Sequence, residues 1–195
     1  EPVFNIDKVE ELIRGDISLS YKLLRYLNSP VFSRQSPVQS VRHAIITLGQ
    51  QPLRKWVSII AIQGLSDLKP SELMNTCLIR ARFNELLGEK VLDQASSSEC
   101  FIVGMFSLLD AMLDQTMKDI LPELGLSDDV RLALLRLESP LLPVVELSMA
   151  MENGDWSAIK RLTILLNIEE AAAFRLHAES IEWAVQMQPQ ASDIP

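Results

Sequence analysis

Residues 71–93 read SELMNTCLIRARFNELLGEKVLD, and this stretch decides the fold class. Most of its apolar residues follow one another at intervals of three or four positions, as they do along one side of an α-helix. They are Leu73, Cys77, Ile79, Phe83, Leu86, Leu87 and Val91. The pattern predicts one long helix, and other elements must pack around it to cover its apolar face.

The segments on either side of this helix show the same helical period, and none shows the sustained alternation of a strand. Before it we predict helices over about 6–14, 17–28, 38–48 and 52–64. After it we predict helices over about 97–114, 116–122, 127–138, 140–153, 156–165 and 167–187. The expected fold is all-α: an irregular multi-helix bundle of about ten or eleven helices with short connections.

Several helix ends carry capping signals. Gly49 follows the last apolar residue of the third helix, where a left-handed residue commonly ends a helix. Ser96 with Glu99, and Asn167 with Glu170, have the spacing of capping boxes, in which each side chain satisfies a free backbone N–H. We therefore expect helices to begin at Ser96 and at Asn167.

The charge is distributed unevenly along the chain. The net charge is −8, which argues against general nucleic-acid binding, since that function usually requires a basic surface. Residues 1–66 nevertheless hold eight Lys and Arg against five Asp and Glu, whereas residues 67–195 hold ten against twenty-one. We predict a single domain over 1–195, with a basic four-helix N-terminal part (1–66) and an acidic helical body (67–195).

The cysteines and the apolar runs indicate a cytoplasmic protein. Cys77 and Cys100 lie within apolar helical patterns and are too few for a disulfide framework, so we expect buried, reduced thiols. No apolar run approaches the about 20 residues that a membrane span needs. The chain begins at Glu1 without an initiator Met, and we expect it to be part of a longer protein.

The titratable residues do not form a recognisable catalytic or metal site. Neither His43 nor His177 has a second histidine or a carboxylate one helical turn away, so each is expected to be structural or exposed. Asp110 and Asp114 are one turn apart, with Asp119 beyond, and such a pair can hold Mg²⁺. A solvated helix end is the preferred interpretation, and no serine has the glycine flanks of a nucleophile elbow.

A candidate interaction face lies in the basic N-terminal part. Two interpretations of it stay open: core packing together with a contact to another domain, which we prefer, and a nucleotide or nucleic-acid site in which aromatic rings stack on bases. We expect Trp156 and Trp183 to be core or half-buried anchors. The face consists of Lys22, Arg25, Arg34, Arg42, Arg54, Lys55 and Trp56.

Two segments resemble the HDOD domain. Residues 15–29 (GDISLSYKLLRYLNS) are similar to its opening, and residues 38–49 (VQSVRHAIITLG) are similar to its I-x-S-I-x-H-A-I-x-x-L-G segment, which contains His43. Residues 53–56 follow in the expected place. Residues 104–113 and 152–156 resemble bacterial proteins that join an EAL domain to an HDOD domain, so the resemblance covers about residues 6–165.

The resemblance implies a fold related to the HD and HD-GYP metal phosphohydrolases but without their metal ligands. Where an HD enzyme would read Gly-Leu-Leu-His-Asp, residues 104–108 read GMFSL, so Ser107 and Leu108 replace an imidazole and a carboxylate. A hydroxyl and an isobutyl group cannot hold an activating divalent metal. We therefore expect no metal, no cofactor and no enzyme activity, and a residual phosphohydrolase is the less favoured alternative.

The resemblance also implies a role in bacterial signalling linked to cyclic di-GMP. The expected function is a non-enzymatic regulatory module acting through protein–protein or inter-domain contacts. Its expected partners are an N-terminal EAL domain of the same protein, downstream signalling proteins and a second copy of itself. A membrane is not expected as a partner, and neither is nucleic acid.

Overall fold

The computed structural model describes residues 6–15, 19, 23, 45–46, 48–65, 71–124 and 126–187. Within those residues every regular element is helical, which confirms the all-α prediction, and none of the helices combines the length and apolar character that a membrane span needs. The helices are α1 (Ile6–Gly15), α2 (Gln50–Leu65), α3 (Ser71–Val91), α4 (Gln94–Phe106), α5 (Leu109–Leu113), α6 (Met117–Ile120) with a 3-10 turn (Leu121–Glu123), α7 (Asp128–Leu134), α8 (Leu142–Asn153), α9 (Trp156–Leu165) and α10 (Glu170–Met187).

The chain forms two compact units, Glu1–Ser58 and Ile59–Pro195. In the first unit, Leu53 and Trp56 are almost completely buried, and Gly49 has the left-handed φ of 73° expected where a helix ends. The predicted single domain divided at residue 66 stays a prediction.

The second unit is built around α3, the helix predicted from residues 71–93. It packs against α4 along most of its length, and also against α10 and α8. Phe83 and Leu87 of α3 are fully buried, and removing this much apolar surface from water is the main stabilising term. The same core contains Val103 of α4, Val130 and Ala133 of α7, Val144 and Leu147 of α8, Ile159 and Leu162 of α9, and Ala173 and Leu176 of α10.

Helices α3 and α4 come close together at two glycines. A Cβ atom at Gly104 would lie 2.5 Å from the carbonyl carbon and oxygen of Arg80, so the two backbones meet there without an intervening side chain. At the other end of the crossing, a Cβ at Gly88 would lie 2.8 Å from the Cys100 sulfur. The two helices therefore run in opposite directions with a separation that only glycine allows at Gly104.

Two predicted capping boxes are wrong. Helix α4 begins earlier than predicted because Asp93 caps it: the backbone N–H of Ser96 donates to Asp93 Oδ1 at 3.0 Å. Asn167 ends α9 instead of starting α10, since it has a φ of 52° and the next N–H, of Ile168, donates to the Thr163 carbonyl at 3.0 Å. Such a bond is typical of a Schellman helix end.

Candidate functional site

The helix predicted over 97–114 is interrupted at Ser107 and Leu108, the two positions where the sequence analysis located the lost metal ligands. The Ser107 hydroxyl donates to the Gly104 carbonyl at 2.7 Å, and the Ser107 N–H also points to that carbonyl at 3.3 Å. A serine side chain that bonds the preceding turn competes with the regular helical pattern. Helix α4 ends at Phe106, directly before this serine, and α5 begins at Leu109.

A buried arginine from α3 meets this break. Arg80 is 7% exposed, and its Nη1 donates to the Ser107 Oγ at 3.1 Å. The Ser107 hydroxyl thus accepts one hydrogen bond from Arg80 while donating its own proton to Gly104. Both the hydroxyl and one guanidinium nitrogen are satisfied inside the protein.

A glutamate at the end of α8 completes the centre. Arg80 Nε donates to Glu152 Oε1 at 2.7 Å, and Arg80 Nη2 donates to Glu152 Oε2 at 2.6 Å. This two-bond geometry is the strongest arrangement that an arginine and a carboxylate adopt. All three guanidinium nitrogens are therefore engaged, and the ion pair joins residues 72 positions apart in the sequence.

Charges of both signs surround this centre. Burial, and then the positive charge of Arg80, lower the pKa of Arg136 from its ordinary value, whereas the carboxylates of Glu146, Asp110 and Glu152 act in the opposite direction. Across the part of the chain that the structure describes, no group of three His, Cys, Asp or Glu side chains could hold a metal ion.

Both cysteines are buried in the core. Burial raises the pKa of the Cys77 thiol to about 12, although the nearby Arg80 charge acts in the opposite direction. Burial also raises the pKa of Cys100 to about 12. Since the thiolate is the reactive form, both side chains behave as small apolar core residues, as predicted.

The acidic residues considered for Mg²⁺ lie at an exposed turn. Asp110 and Asp114 are both exposed, and Asp114 ends α5 with a φ of 53°. Asp119 accepts a hydrogen bond from the Thr116 hydroxyl at 2.6 Å. The group thus has the character of the solvated helix ends preferred in the sequence analysis.

The predicted interaction face is only partly visible. Lys22, Arg25, Arg34 and Arg42 lie outside the described residues, and so does His43. Arg54 is exposed and Lys55 is half-buried, whereas Trp56 is 2% exposed, so its ring offers no surface for stacking. The face as a whole stays a prediction.

The tryptophan and histidine expectations have different outcomes. Trp183 is buried, as predicted, but Trp156 is 69% exposed, so its assignment as a core or half-buried anchor was wrong. Trp156 is the first residue of α9, and its ring lies beside the partly exposed ring of Phe174 instead of entering the core. His177 is half-buried against the core helix α3.

Sequence reasoning missed Arg80 and Glu152 because it sought partners only one helical turn away. The available signal was Arg80 itself, a charged residue amid the apolar positions of a long helix. A buried charge needs a partner. Nothing in the local sequence identifies Glu152 as that partner.

Comparison with known proteins gives the family. The HDOD domain model matches residues 1–138. The chain belongs to the HDOD family. An HDOD domain protein from Geobacter sulfurreducens, solved by crystallography, is similar with a TM-score of 0.48 and 19% identity, covering 99% of this chain and 72% of that one.

Two curated relatives are similar to this HDOD chain. A Vibrio cholerae protein named cyclic di-GMP phosphodiesterase CdgJ is 37% identical over 169 residues, which cover 87% of this chain and 39% of the relative. The Bacillus subtilis protein YuxH is 34% identical over 182 residues, covering 92% of this chain and 44% of the relative. The chain thus spans about two fifths of the length of these relatives.

Proposed function

We propose that this HDOD chain is a non-enzymatic regulatory module of bacterial signalling linked to cyclic di-GMP, working in the cytoplasm through contacts with other domains or proteins. The link to cyclic di-GMP is supported by the similarity to the Vibrio relative, which carries that nucleotide in its name. An EAL domain and a downstream signalling protein are the proposed partners.

One observation carries the non-enzymatic part of the proposal. Where the HD resemblance would put a metal ligand, Ser107 accepts a hydrogen bond from Arg80, and Arg80 is held by Glu152. In this proposal the Arg80 guanidinium takes the place of an exchangeable metal ion, since its hydrogen bonds are directed to Ser107 and Glu152. A metal-activated water, the nucleophile of such hydrolases, would then lack ligands at this position.

The first experiment asks whether the chain alone is an enzyme. The purified chain is incubated with Mn²⁺, Fe²⁺ or Mg²⁺, desalted, and examined for bound metal and for hydrolysis of cyclic di-GMP. We expect less than stoichiometric metal and no turnover above that of the Glu152→Gln variant. One metal ion per chain together with hydrolysis that Glu152→Gln abolishes would contradict the proposal.

The second experiment asks whether the chain regulates. The matching region of the Vibrio relative is replaced by this chain, and cyclic di-GMP hydrolysis is compared between the chimera, the relative and the relative with that region deleted. We expect the chimera to resemble the intact relative more than the deleted form. Equal activity of all three proteins would remove the regulatory role.

The alternative function, a nucleotide- or nucleic-acid-binding domain using the basic face, stays a prediction. Four of its seven residues lie outside the described residues, and Trp56 is buried. Titration of the chain with cyclic di-GMP and with short RNA and DNA distinguishes this alternative, since such binding weakens steeply with salt.

A further inference from the structure

Helix α10 carries a second apolar stripe on its exposed side. Phe174 is 37% exposed, Ile181 is 42% exposed and Val185 is 60% exposed, and Ala171 and Ala178 are exposed as well. The intervals between these five residues are three, four, three and four positions. This is the heptad spacing of a helix that pairs with another helix. We call these five residues the α10 seam.

The seam is separate from the face that α10 buries in its own unit. That face consists of Ala173, Leu176, Ser180, Trp183 and Ala184. At 100° per residue the two stripes lie about 150° apart around the helix axis. Within the described part of the second unit, packing therefore accounts for the buried face of α10 and leaves the seam exposed.

An exposed aromatic side chain enlarges the seam at one end. Trp156 of α9 is 69% exposed, and its ring centroid is 5.7 Å from that of Phe174. A contiguous exposed apolar patch with a tryptophan is typical of a protein–protein contact, because aromatic residues contribute strongly to interfaces. Isolated exposed apolar residues would carry no such meaning.

We infer that the α10 seam is a self-association surface on which a second copy of this chain docks with its own α10 in parallel. The heptad spacing supports another helix as the occupant. In a parallel pair each seam residue contacts the same residue of the partner. The five residues therefore form five layers along the two helices. The inference is independent of the proposed function, since it does not involve the Arg80 centre.

The charges beside the seam favour a second copy in this orientation. Glu170 and Arg175 flank the seam on opposite sides, five positions apart, and both are exposed. In a parallel pair, residues with this offset come together across the interface, so Glu170 of each protomer meets Arg175 of its partner. In an antiparallel pair, Arg175 would instead approach Glu182.

The small area of the seam limits the expected affinity of the dimer. One pair of 18-residue helices is a small contact compared with the about 1,200–2,000 Å² of stable interfaces. We therefore expect a dimer that dissociates on dilution, with a Kd between about 10 µM and about 1 mM. Such a contact responds to local concentration, for example when a longer protein brings two copies together.

The first test measures mass by sedimentation between about 10 µM and about 1 mM. We expect the weight-average mass to rise from one towards two chains. Ile181→Glu places a charge in the seam and should weaken dimerisation at least about tenfold. The matched control is Ile164→Glu, the same substitution at a 72% exposed isoleucine of α9, which should leave dimerisation unchanged.

The second test establishes the orientation. Arg175→Glu should weaken the dimer, and Glu170→Arg in the same chain should restore it, because the exchanged charges again attract in a parallel pair. In an antiparallel pair the second change would not rescue the first, since the carboxylate introduced at position 175 would still face Glu182. Failure of rescue would therefore overturn the parallel arrangement.

Two results would overturn the inference as a whole. One is a chain that stays monomeric across the concentration range. The seam would then have to bind a different partner. The other is an equal loss of dimerisation in Ile181→Glu and Ile164→Glu, which would place the contact elsewhere. Circular dichroism of each variant confirms that these exposed substitutions leave the fold intact.

Discussion

The imidazole ring of His177 stands edge-on to the phenyl ring of Phe83, with centroids 5.7 Å apart and planes at 82°. This contact attaches α10 to the fully buried side of α3 and removes part of the imidazole from water. Burial lowers the pKa of His177, although the negative charge of Glu152 acts in the opposite direction. His177 therefore helps to hold α10 against α3, and we expect its protonation to weaken this packing.

We predict that His177 makes the protein less stable as the pH falls below about 6.5, the ordinary pKa of histidine. The unfolded chain then binds a proton at this position more readily than the folded chain, so the free energy of unfolding decreases with decreasing pH. Urea unfolding at several pH values between about 7.5 and 5.5 measures this slope. The variant His177→Gln should show a smaller slope, and parallel profiles for the two proteins would contradict the prediction.

A second prediction concerns the two closely packed glycines. Gly104→Ala should lower the free energy of unfolding by about 2 kcal/mol or more, because the added methyl group meets the Arg80 backbone, which cannot move alone. Gly88→Ala should cost less, since its nearest neighbour is the Cys100 side chain. Thermal unfolding of both variants provides the comparison, and a larger loss in Gly88→Ala would show that α3 and α4 do not approach as described.

A third prediction follows from the unequal burial of the ion pair. The side chain of Arg80 is 8% exposed, whereas that of Glu152 is 22% exposed. Glu152→Ala leaves the more buried charge without a partner and should cost about 3–5 kcal/mol. Arg80→Met leaves a carboxylate that reaches solvent and should cost less.

The double variant Arg80→Met with Glu152→Ala controls for changes in packing. Its loss of stability, measured by urea unfolding, should be smaller than the sum of the two single losses, because the pair is removed together. Additive losses would mean that the two side chains do not interact in solution.

A fourth prediction concerns Asn84, which is fully buried on α3. Among the residues that the structure describes, neither its amide nitrogen nor its amide oxygen has a hydrogen-bond partner. Asn84→Leu should therefore raise the free energy of unfolding by about 1–3 kcal/mol, since an unsatisfied buried polar group is costly. Ser180→Ala is the control, because the equally buried Ser180 hydroxyl donates to the Leu176 carbonyl at 2.6 Å and its removal should not stabilise. A loss of stability in Asn84→Leu would mean that the amide has a partner in solution.

The helices were predictable where a regular apolar period extends over several turns. Helix α3 was predicted over 71–93 and ends at Val91, and α9 was predicted at its observed bounds, Trp156–Leu165. The break at Ser107 was not predicted, because apolar residues continue through it. At the break, the Ser107 hydroxyl forms hydrogen bonds with Gly104 and Arg80. Such hydrogen bonds cannot be recognised from the spacing of apolar residues.

Ser107 could be singled out from the sequence, but the arrangement of the groups around it could not be predicted. The interpretation of Ser107 as the replacement of a histidine came from a family pattern, whereas the groups that surround it come from three separate helices. Arg80 and Glu152 are brought together only by the packing of α8 onto α3. Sequence patterns within one helix cannot contain that information, since it belongs to tertiary structure.

The centre formed by Arg80, Ser107 and Glu152 has a consequence for how the chain responds to its surroundings. A cation that is part of the polypeptide cannot dissociate, be replaced by a competing ion or be withdrawn by a chelator. The Arg80 guanidinium therefore joins the centre when the chain folds, because the groups that hold it, Ser107 and Glu152, belong to the same polypeptide.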